Sequence, residues 1–166
     1  MENPIVSAYV RYYKKFKKSY HVLPQIESII GGKEIPDTSP LIQALFLTEI
    51  QTSMLIAGHD LEKTSPPFSI EQAEGGETYI GAGDESIVLK SGDISMRDNA
   101  GFILSIIYGQ DERTRLTEYT SDILYLIDGV PGIEKSYFQT GLDTLLTNIR
   151  IFHPEIEPNL MEVLEV

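Results

Sequence analysis

The amino-acid sequence changes its periodicity near Met54 and again after Gly129, and this order restricts the fold more than any single motif does. Before Met54 the apolar side chains recur at helical spacing, whereas residues 54–128 form short alternating runs separated by Gly, Pro, Asp and Ser. Helical spacing returns after Gly132. Because the helices lie at the two ends and the strands lie together between them, the sequence predicts the α+β class rather than alternating α/β units.

Capping and turn residues mark the ends of the predicted elements. Asn3 followed by Pro4 predicts the start of a first helix, and Ser39 followed by Pro40 predicts the start of a strongly apolar, buried one. The first predicted helix contains the apolar residues that run from Val6 to Phe16. Further helices are predicted at residues 24–32, 41–52 and about 133–151. The predicted strands lie near residues 54–59, 68–73, 77–81, 86–90, 94–98, 102–108 and 123–128, and the last of these is expected to be covered on both faces.

Charge is distributed unevenly along the chain, which carries a net charge of −12 over 166 residues. Residues 1–33 contain six basic and two acidic side chains, a net charge of +4, and the remainder carries −16. The acidic total argues against a general nucleic-acid binder, which needs a basic surface. Lys14, Lys15 and Lys18 share one helix face with Arg11. This face is either a local phosphate-facing patch or a solvated helix surface.

Residue types that serve metal binding or covalent catalysis are scarce. The chain has no cysteine, and His21, His59 and His153 lack the spacing of a local zinc site. The common phosphate-binding, dinucleotide-binding and metalloprotease motifs are missing from the sequence. We therefore expect no cofactor and no metal. Since the sequence also lacks a long apolar run and a signal-peptide pattern, we expect a cytoplasmic protein without a membrane partner, and a single domain over residues 1–166.

Two places contain enough polar residues for a functional site. His59 and Asp60 are adjacent on a predicted strand, so their side chains point to opposite faces and cannot easily act as a base and its orienter. His59 is either a site residue or a locally hydrogen-bonded histidine. Residues 109–120 form the densest polar cluster and join two apolar strands. This loop is either a binding site or a solvated loop held by Arg–carboxylate pairs.

The same region resembles a known family. From Leu55 to Asp128 the chain is similar to the B3/B4 domain of the phenylalanyl-tRNA synthetase beta chain and to free-standing proteins built on that domain. The resemblance rests on the order and spacing of AGHDLEK (57–63), FSIEQAEGGETYIGAGDE (68–85), SGDISMRDNAGFI (91–103) and GQDERTRLTEYTSDILYLIDG (109–129). It implies a central mixed or antiparallel sheet with flanking helices. In the synthetase this domain is the editing module, which hydrolyses tyrosine wrongly esterified to the phenylalanine tRNA.

The resemblance also implies which residues form the site. An aminoacyl ester is already activated, so its hydrolysis needs a bound amino acid, a placed water and a stabilised oxyanion rather than a metal. Glu118 matches the acidic pocket position of the family's Thr-Glu-x-Thr loop, and we expect Glu118 and His59 to be catalytic. The expected substrate-binding residues are Arg113, Thr117, Thr120 and Asp60. The expected contacts to tRNA, weak or assisted by a partner, are Lys14, Lys15 and Lys18.

Two positions depart from the family pattern. Ala57 stands where the synthetase domains have a His, and Gln43 stands where they have an Asp. The hypothesis of an editing-like hydrolase acting in trans therefore stays beside two alternatives, a non-catalytic module that binds an amino acid or small carboxylate and a protein-interaction domain. The first two hypotheses predict that Glu118 and Arg113 border a pocket floored by residues 102–108. The chain is too short for a complete synthetase, and its sequence leaves the oligomeric state open.

Overall fold

The computed structural model describes residues 3–35 and 38–164. Its contacts divide the chain into two compact units, which we name the helical unit (Met1–Ile56 and Ile127–Val166) and the sheet unit (Ala57–Leu126). Helices and strands are segregated along the chain as the periodicity predicted, so the α+β class is confirmed. The assignment of the chain to a single domain stays a prediction.

Within the described residues, the helical unit contains four helices at or near the predicted positions, namely α1 (Pro4–Lys15), α2 (Val22–Ile30), α3 (Pro40–Thr52) and α4 (Lys135–Phe152). The predicted start of α1 is confirmed, because the Asn3 side chain accepts a hydrogen bond from the Ile5 amide at 2.9 Å. Tyr9 and Tyr13 of the predicted apolar face are buried, whereas Val6 and Val10 are only half-buried. The buried face of α1 is therefore rotated slightly from the predicted one.

Hydroxyl groups of two buried tyrosines form hydrogen bonds with the backbone of the helical unit. Tyr9 Oη donates to the Asp128 carbonyl at 2.5 Å and accepts from the Leu55 amide at 3.3 Å. Tyr20 Oη donates to the Ser53 carbonyl at 2.5 Å, and its ring stacks on Tyr9 with centroids 4.9 Å apart. A ring buries apolar area while its hydroxyl satisfies a backbone group, so each tyrosine contributes in two ways.

Helix α3 is less buried than its sequence predicted. Its fully buried residues are Ala44, Thr48 and Glu49, and its larger apolar side chains are half-buried or, at Ile42, exposed. Thr48 lies where α3 packs on α4, and Asn148 Nδ2 donates to Thr48 Oγ1 at 2.8 Å. A helix that approaches its neighbour along small residues leaves its bulky ones on the flanks.

The sheet unit is built from short strands, whose bounds are β1 (Ile56–Asp60), β2 (Ser69–Gln72), β3 (Thr78–Ile80), β4 (Ser86–Val88), β5 (Ile94–Asp98), β6 (Gly101–Ser105), β7 (Gly109–Gln110) and β8 (Ile123–Ile127). All seven predicted strands are present, and β7 was not predicted. A four-stranded sheet has the order β2-β5-β6-β7 with antiparallel neighbours, β3 pairs antiparallel with β4, and β1 pairs with β8. Every residue of β8 is half-buried, so the expected cover on both faces is incomplete.

Two apolar clusters form the core of the sheet unit. The first contains Ala57, Met96, Ile103 and Leu104, and the second contains Ala73, Tyr79, Ile87 and Leu89. Within the described part of the chain, no helix is both long enough and apolar enough to cross a bilayer.

Candidate functional site

Buried polar side chains collect in the sheet unit where β1, β5 and the segment after β7 meet. His59 at the end of β1, Asp98 at the end of β5, and Asp111 and Thr114 after β7 are each at most 3% exposed. Gly58 lets β1 approach this segment, because a Cβ there would lie 2.6 Å from Leu116 Cδ1. Polar groups withdrawn from water need partners, so their hydrogen bonds define what this cluster can do.

Arg113 binds a fully buried carboxylate. Its Nη2 lies 3.0 Å from both oxygens of Asp98, its Nη1 donates to the Lys63 carbonyl at 2.6 Å, and its Nε lies 3.5 Å from Asp111 Oδ2. Burial alone would raise the pKa of Asp98, but hydrogen bonds from the Ser65 and Ala100 amides and from Arg113 hold it below its usual range. The contacts of Arg113 are thus those of an arginine that fastens the polar loop to β5.

His59 has one partnered and one unpartnered ring nitrogen. Its Nδ1 lies 2.7 Å from Thr114 Oγ1, and Thr114 Oγ1 is also hydrogen-bonded to Asp111 Oδ1. An ionised Asp111 only accepts, so the single hydroxyl proton of Thr114 goes to Asp111 and the hydroxyl oxygen accepts from His59 Nδ1–H. This assignment leaves Nε2 as a bare acceptor, and among the described residues it has no hydrogen-bond partner.

Electrostatics supports a neutral His59. Burial, followed by the Arg113 charge, lowers the pKa of His59 to about 4. Burial raises the pKa of Asp111, although its hydrogen bonds to Thr114 and the Arg113 charge oppose the shift. At neutral pH the imidazole is an uncharged hydrogen-bond acceptor and a weak base. It can orient a donor but is poorly matched to removing a proton from water.

A second set of contacts shapes the Thr117–Thr120 turn. Thr120 Oγ1 donates to Asp60 Oδ2 at 2.9 Å and accepts from the Thr117 amide at 3.0 Å. The Thr120 amide donates to the Thr117 carbonyl at 3.2 Å, and Lys63 Nζ lies 3.5 Å from Asp60 Oδ2. Glu118 is exposed, and the Tyr119 side chain beside it is 85% exposed. Hydrogen bonds therefore fix the turn, and the turn exposes the carboxylate of Glu118 and the aromatic ring of Tyr119.

The structure brings together most of the predicted site residues, which come from two distant stretches of sequence. Asp60, Thr117 and Thr120 share hydrogen bonds, and His59 is bonded to the segment that contains Arg113. The polar contacts of Arg113 go to Asp98, Asp111 and the Lys63 carbonyl. Its role in substrate binding and the pocket beside residues 102–108 stay predictions.

The predicted nucleic-acid contacts belong to the helical unit. Lys14, Lys15 and Lys18 are all exposed at the end of α1 or just beyond it. Lys15 Nζ lies 5.9 Å from the centroid of the Tyr12 ring, a cation–π distance. The three side chains are accessible to a phosphate backbone, and whether they bind one stays a prediction.

Three residues of the cluster, Asp98, Asp111 and Thr114, were not among the predicted site residues, although all three lie in stretches that carry the resemblance. Asp98 Oδ1 accepts from the Ala100 and Gly101 amides at 2.8 and 3.1 Å, the pattern of an Asx turn. The sequence Asp-Asn-Ala-Gly at 98–101 is a recognisable signal for such a turn. This signal predicts the turn, but it does not predict that Arg113 binds the Asp98 carboxylate. Across the described residues, no group of three or more acidic or His side chains could hold a metal ion.

Comparisons with known proteins support the fold. No family model matches the chain, and no curated protein matches it. A crystal structure of an N-terminal fragment of the phenylalanyl-tRNA synthetase beta subunit from Pyrococcus horikoshii is similar, with a TM-score of 0.57 and 19% sequence identity over 69% of this chain. The match spans 41% of that fragment. At this identity the likeness concerns the fold alone, which is similar to that of a synthetase beta subunit.

Proposed function

We propose that the sheet unit is an editing-like domain that hydrolyses a mis-charged aminoacyl-tRNA in trans, with tyrosine on the phenylalanine tRNA as the first substrate to test. The hydrogen bond between Thr120 and Asp60 carries this proposal. It joins two of the four stretches that carry the resemblance to the B3/B4 domain, AGHDLEK (57–63) and the stretch 109–129 that contains LTEYT. The fold, which is similar to that of a synthetase beta fragment, supports the same proposal.

In this proposal Glu118 recognises the aminoacyl group. Its exposed carboxylate accepts hydrogen bonds from the α-ammonium group of the ester or from a phenol, and it needs no metal to do so. Thr117 and Thr120 hold the turn on which it lies. Hydrolysis then depends mainly on orienting a water against an ester that is already activated. His59 contributes as a neutral hydrogen-bond acceptor, since its lowered pKa of about 4 makes it a weak base.

Binding of the tRNA body is a weaker part of the proposal. A net charge of −12 opposes tight binding to phosphates, so Lys14, Lys15 and Lys18 would supply only local contacts. If they do, affinity for tRNA falls steeply as salt is raised, and replacing the three lysines with Gln flattens this dependence. An affinity that is indifferent to salt would rule out the basic end of α1 as a phosphate contact.

The deciding experiment compares deacylation of Tyr-tRNA and Phe-tRNA, both on the phenylalanine tRNA. Purified wild-type protein is expected to remove tyrosine preferentially. Glu118→Ala should lower that rate by at least about tenfold, because a charged hydrogen-bond partner is lost. Glu118→Gln keeps the size but not the charge, and Glu74→Ala removes an exposed carboxylate elsewhere in the same unit as a matched control. Equal rates for wild type and Glu118→Ala, or no hydrolysis of either ester, would contradict the proposal.

A second candidate function is a non-catalytic module that binds an amino acid or small carboxylate. Two observations favour it. The buried His59 is a weak base, and the Arg113 guanidinium is already hydrogen-bonded to Asp98. Calorimetric titration with tyrosine amide and with phenylalanine amide tests this candidate. Binding that depends on Glu118 without ester hydrolysis would support it, and no heat with either ligand would exclude it for these ligands.

A further inference from the structure

The helical unit contains a cleft of about 440 Å³ between the start of α1, the end of α3 and the first half of α4. Its floor is apolar, because Ile5 of α1 and Met54 after α3 line it and are at most 6% exposed. Helix α4 approaches this floor closely, since a Cβ at Gly141 would lie 3.1 Å from Met54 Sδ. The volume falls within the range of small-molecule sites, about 300–1,000 Å³. The cleft can therefore accommodate a small ligand.

Three threonines line the cleft as hydrogen-bond acceptors. Thr52, Thr140 and Thr144 each donate the hydroxyl proton to the carbonyl four residues earlier in the same helix, at 2.7, 3.2 and 2.7 Å. A hydroxyl has one proton and two lone pairs, so a threonine whose proton is used within its own helix can only accept from a ligand. Thr52 Oγ1 already accepts from the Met54 amide at 3.2 Å, which makes Thr140 and Thr144 the better acceptors.

Gln51 supplies a hydrogen-bond donor at the exposed rim of the cleft. Its Oε1 accepts from Asn148 Nδ2 of α4 at 2.9 Å. The direction of this bond follows from Thr48, whose hydroxyl gives its proton to the Ala44 carbonyl at 2.7 Å and therefore accepts from the same Asn148 Nδ2 at 2.8 Å. Because Asn148 binds the oxygen end of the Gln51 amide, Nε2 is the end that can donate to a ligand.

We propose that this cleft binds a small uncharged aromatic carboxamide. In the described part of the chain its lining consists of uncharged residue types alone, so a charged ligand would lose hydration without gaining a counter-charge. The N–H groups of a primary carboxamide match the threonine oxygens, and its carbonyl oxygen matches Gln51 Nε2. An aromatic ring packs favourably against the Met54 thioether and the Tyr137 ring, both of which line the cleft.

The cleft uses none of the residues of the proposed editing site. All of its lining residues belong to the helical unit, whereas Asp60 and the Thr117–Thr120 turn belong to the sheet unit. An aminoacyl ester carries an α-ammonium group, which the uncharged lining disfavours. Binding at the cleft and hydrolysis at the turn can therefore fail independently.

NMR titration of the full chain with benzamide and with benzoate tests the proposal. The two probes share the ring and the carbonyl, but only benzamide is uncharged and carries N–H donors. Benzamide is expected to give saturable shifts of the Met54, Tyr137 and Thr144 amides, with a dissociation constant of about 1 mM or lower. Benzoate should bind at least about tenfold more weakly. Equal affinities for the two probes, or no shift of these amides with benzamide up to its solubility limit, would overturn the proposal.

Two variants of similar size identify the groups that bind the probe. Gln51→Glu keeps the oxygen that accepts from Asn148 but replaces the Nε2 donor with a charged oxygen, so it should raise the benzamide dissociation constant at least about tenfold. Thr144→Val removes one accepting oxygen and should raise it about three- to tenfold. Thr147→Val is the matched control, because Thr147 makes the same kind of bond, to the Asp143 carbonyl at 2.8 Å, on an exposed part of α4 outside the cleft.

The amide spectrum of each variant away from the cleft establishes that its fold is kept. Benzamide affinity should be unchanged in Thr147→Val. An affinity that is also unchanged in both Gln51→Glu and Thr144→Val would contradict binding at this cleft, and so would an equal loss in all three variants.

Discussion

The two units bury polar groups for different purposes. In the helical unit, the hydroxyls of the buried Tyr9 and Tyr20 donate hydrogen bonds to backbone carbonyls and so stabilise the fold of that unit. In the sheet unit, side chains bond to one another in the series Asp98, Arg113, Asp111, Thr114 and His59, and His59 Nε2 has no hydrogen-bond partner in the part of the chain that the structure describes. The helical unit carries eight basic and twelve acidic residues, whereas the sheet unit carries five and thirteen. The polar groups of the helical unit thus satisfy the backbone, whereas those of the sheet unit form a network of side chains next to the Thr117–Thr120 turn.

The largest expected effect comes from breaking the network in the sheet unit. Asp98→Ala removes the closer of the two carboxylates that contact Arg113 and deprives the Ser65, Ala100 and Gly101 amides of their acceptor. We expect a loss of about 3 kcal/mol in the free energy of unfolding, because each hydrogen bond to a charged group contributes about 1.5–3 kcal/mol and Asp98 accepts several of them, although Arg113 itself is 36% exposed. Chemical denaturation measures the loss. Hydrogen exchange should show it in β5 and β6 before it appears in α1.

The exposed pair of Arg97 and Glu71 serves as the control, because its atoms are 3.8 Å apart and both side chains are more than 40% exposed. Arg97→Ala should cost less than about 1 kcal/mol. If Asp98→Ala is as mild as Arg97→Ala, the Asp98–Arg113 contact does not hold the loop.

The second expected effect is an opposite response of the two units to pH. Burial lowers the pKa of His59 from 6.5 to about 4. Between these two pH values the unfolded chain binds a proton at His59 that the folded sheet unit does not bind. The sheet unit therefore loses stability as pH falls from 6.5 towards 4. Burial raises the pKa of Glu49 from 4.5 to about 7, although its bond from the Ile56 amide opposes the shift. The helical unit therefore loses stability as pH rises from 4.5 to 7.

Each response amounts to as much as about 3 kcal/mol over its window. Exchange free energies of the two units, measured between pH 4.5 and 6.5, should change with opposite sign. Glu49→Gln should remove most of the slope of the helical unit, where burial also lowers the pKa of His21, and His59→Gln should remove most of the slope of the sheet unit, where burial raises the pKa of Asp111. Parallel slopes in the two units would contradict the assignment of Glu49 and His59 as the dominant titrating groups.

A smaller effect is expected from Tyr9→Phe, which removes one hydroxyl and keeps the stacked ring. The Asp128 carbonyl loses its donor and the Leu55 amide loses its acceptor. We expect a loss of about 1–3 kcal/mol, confined to the helical unit, because buried backbone groups are left unsatisfied. Thermal unfolding and unit-resolved exchange measure it. An equal loss of protection in β5 and β6 would show that the units do not unfold separately.

The smallest expected effect comes from the first helix cap. Asn3→Ala removes the side-chain acceptor of the Ile5 amide and should cost about 1 kcal/mol. Asn3→Ser keeps a capping oxygen and should cost less. Exchange at the first turn of α1 is the direct measurement, and unchanged exchange in Asn3→Ala would show that Pro4 alone sets the start of the helix.

Local signals predicted most of the fold. Asn3 and Pro4 determine the start of α1 through capping, and the alternation in residues 94–98 coincides with β5. Burial was harder to predict, because it depends on neighbours. Leu45 and Phe46 of α3 are half-buried, whereas Thr48 is buried and bonded to Asn148 of α4. The two-residue strand β7 is too short to give any alternation.

The site was predicted in part for a related reason. The stretches containing Asp60 and Thr120 were identified from sequence, and in the structure the Thr120 hydroxyl donates a hydrogen bond to the Asp60 carboxylate. The link from Arg113 to Asp98 joins residues fifteen positions apart through a buried contact, and no periodicity encodes such a pairing. Likewise, the hydrogen bond from His59 Nδ1 to Thr114, which leaves Nε2 as an acceptor, depends on a contact that only the folded chain defines.

The central claim is that the sheet unit recognises an aminoacyl group at the Thr117–Thr120 turn. Its most direct test is an NMR titration of the full chain with a non-hydrolysable tyrosyl-adenosine in which an amide replaces the ester. The account predicts saturable shifts of the Asp60, Thr117, Glu118 and Thr120 amides, with the helical unit unchanged and the shifts lost in Glu118→Ala. Shifts confined to the helical unit, or identical shifts in Glu118→Ala, would contradict it.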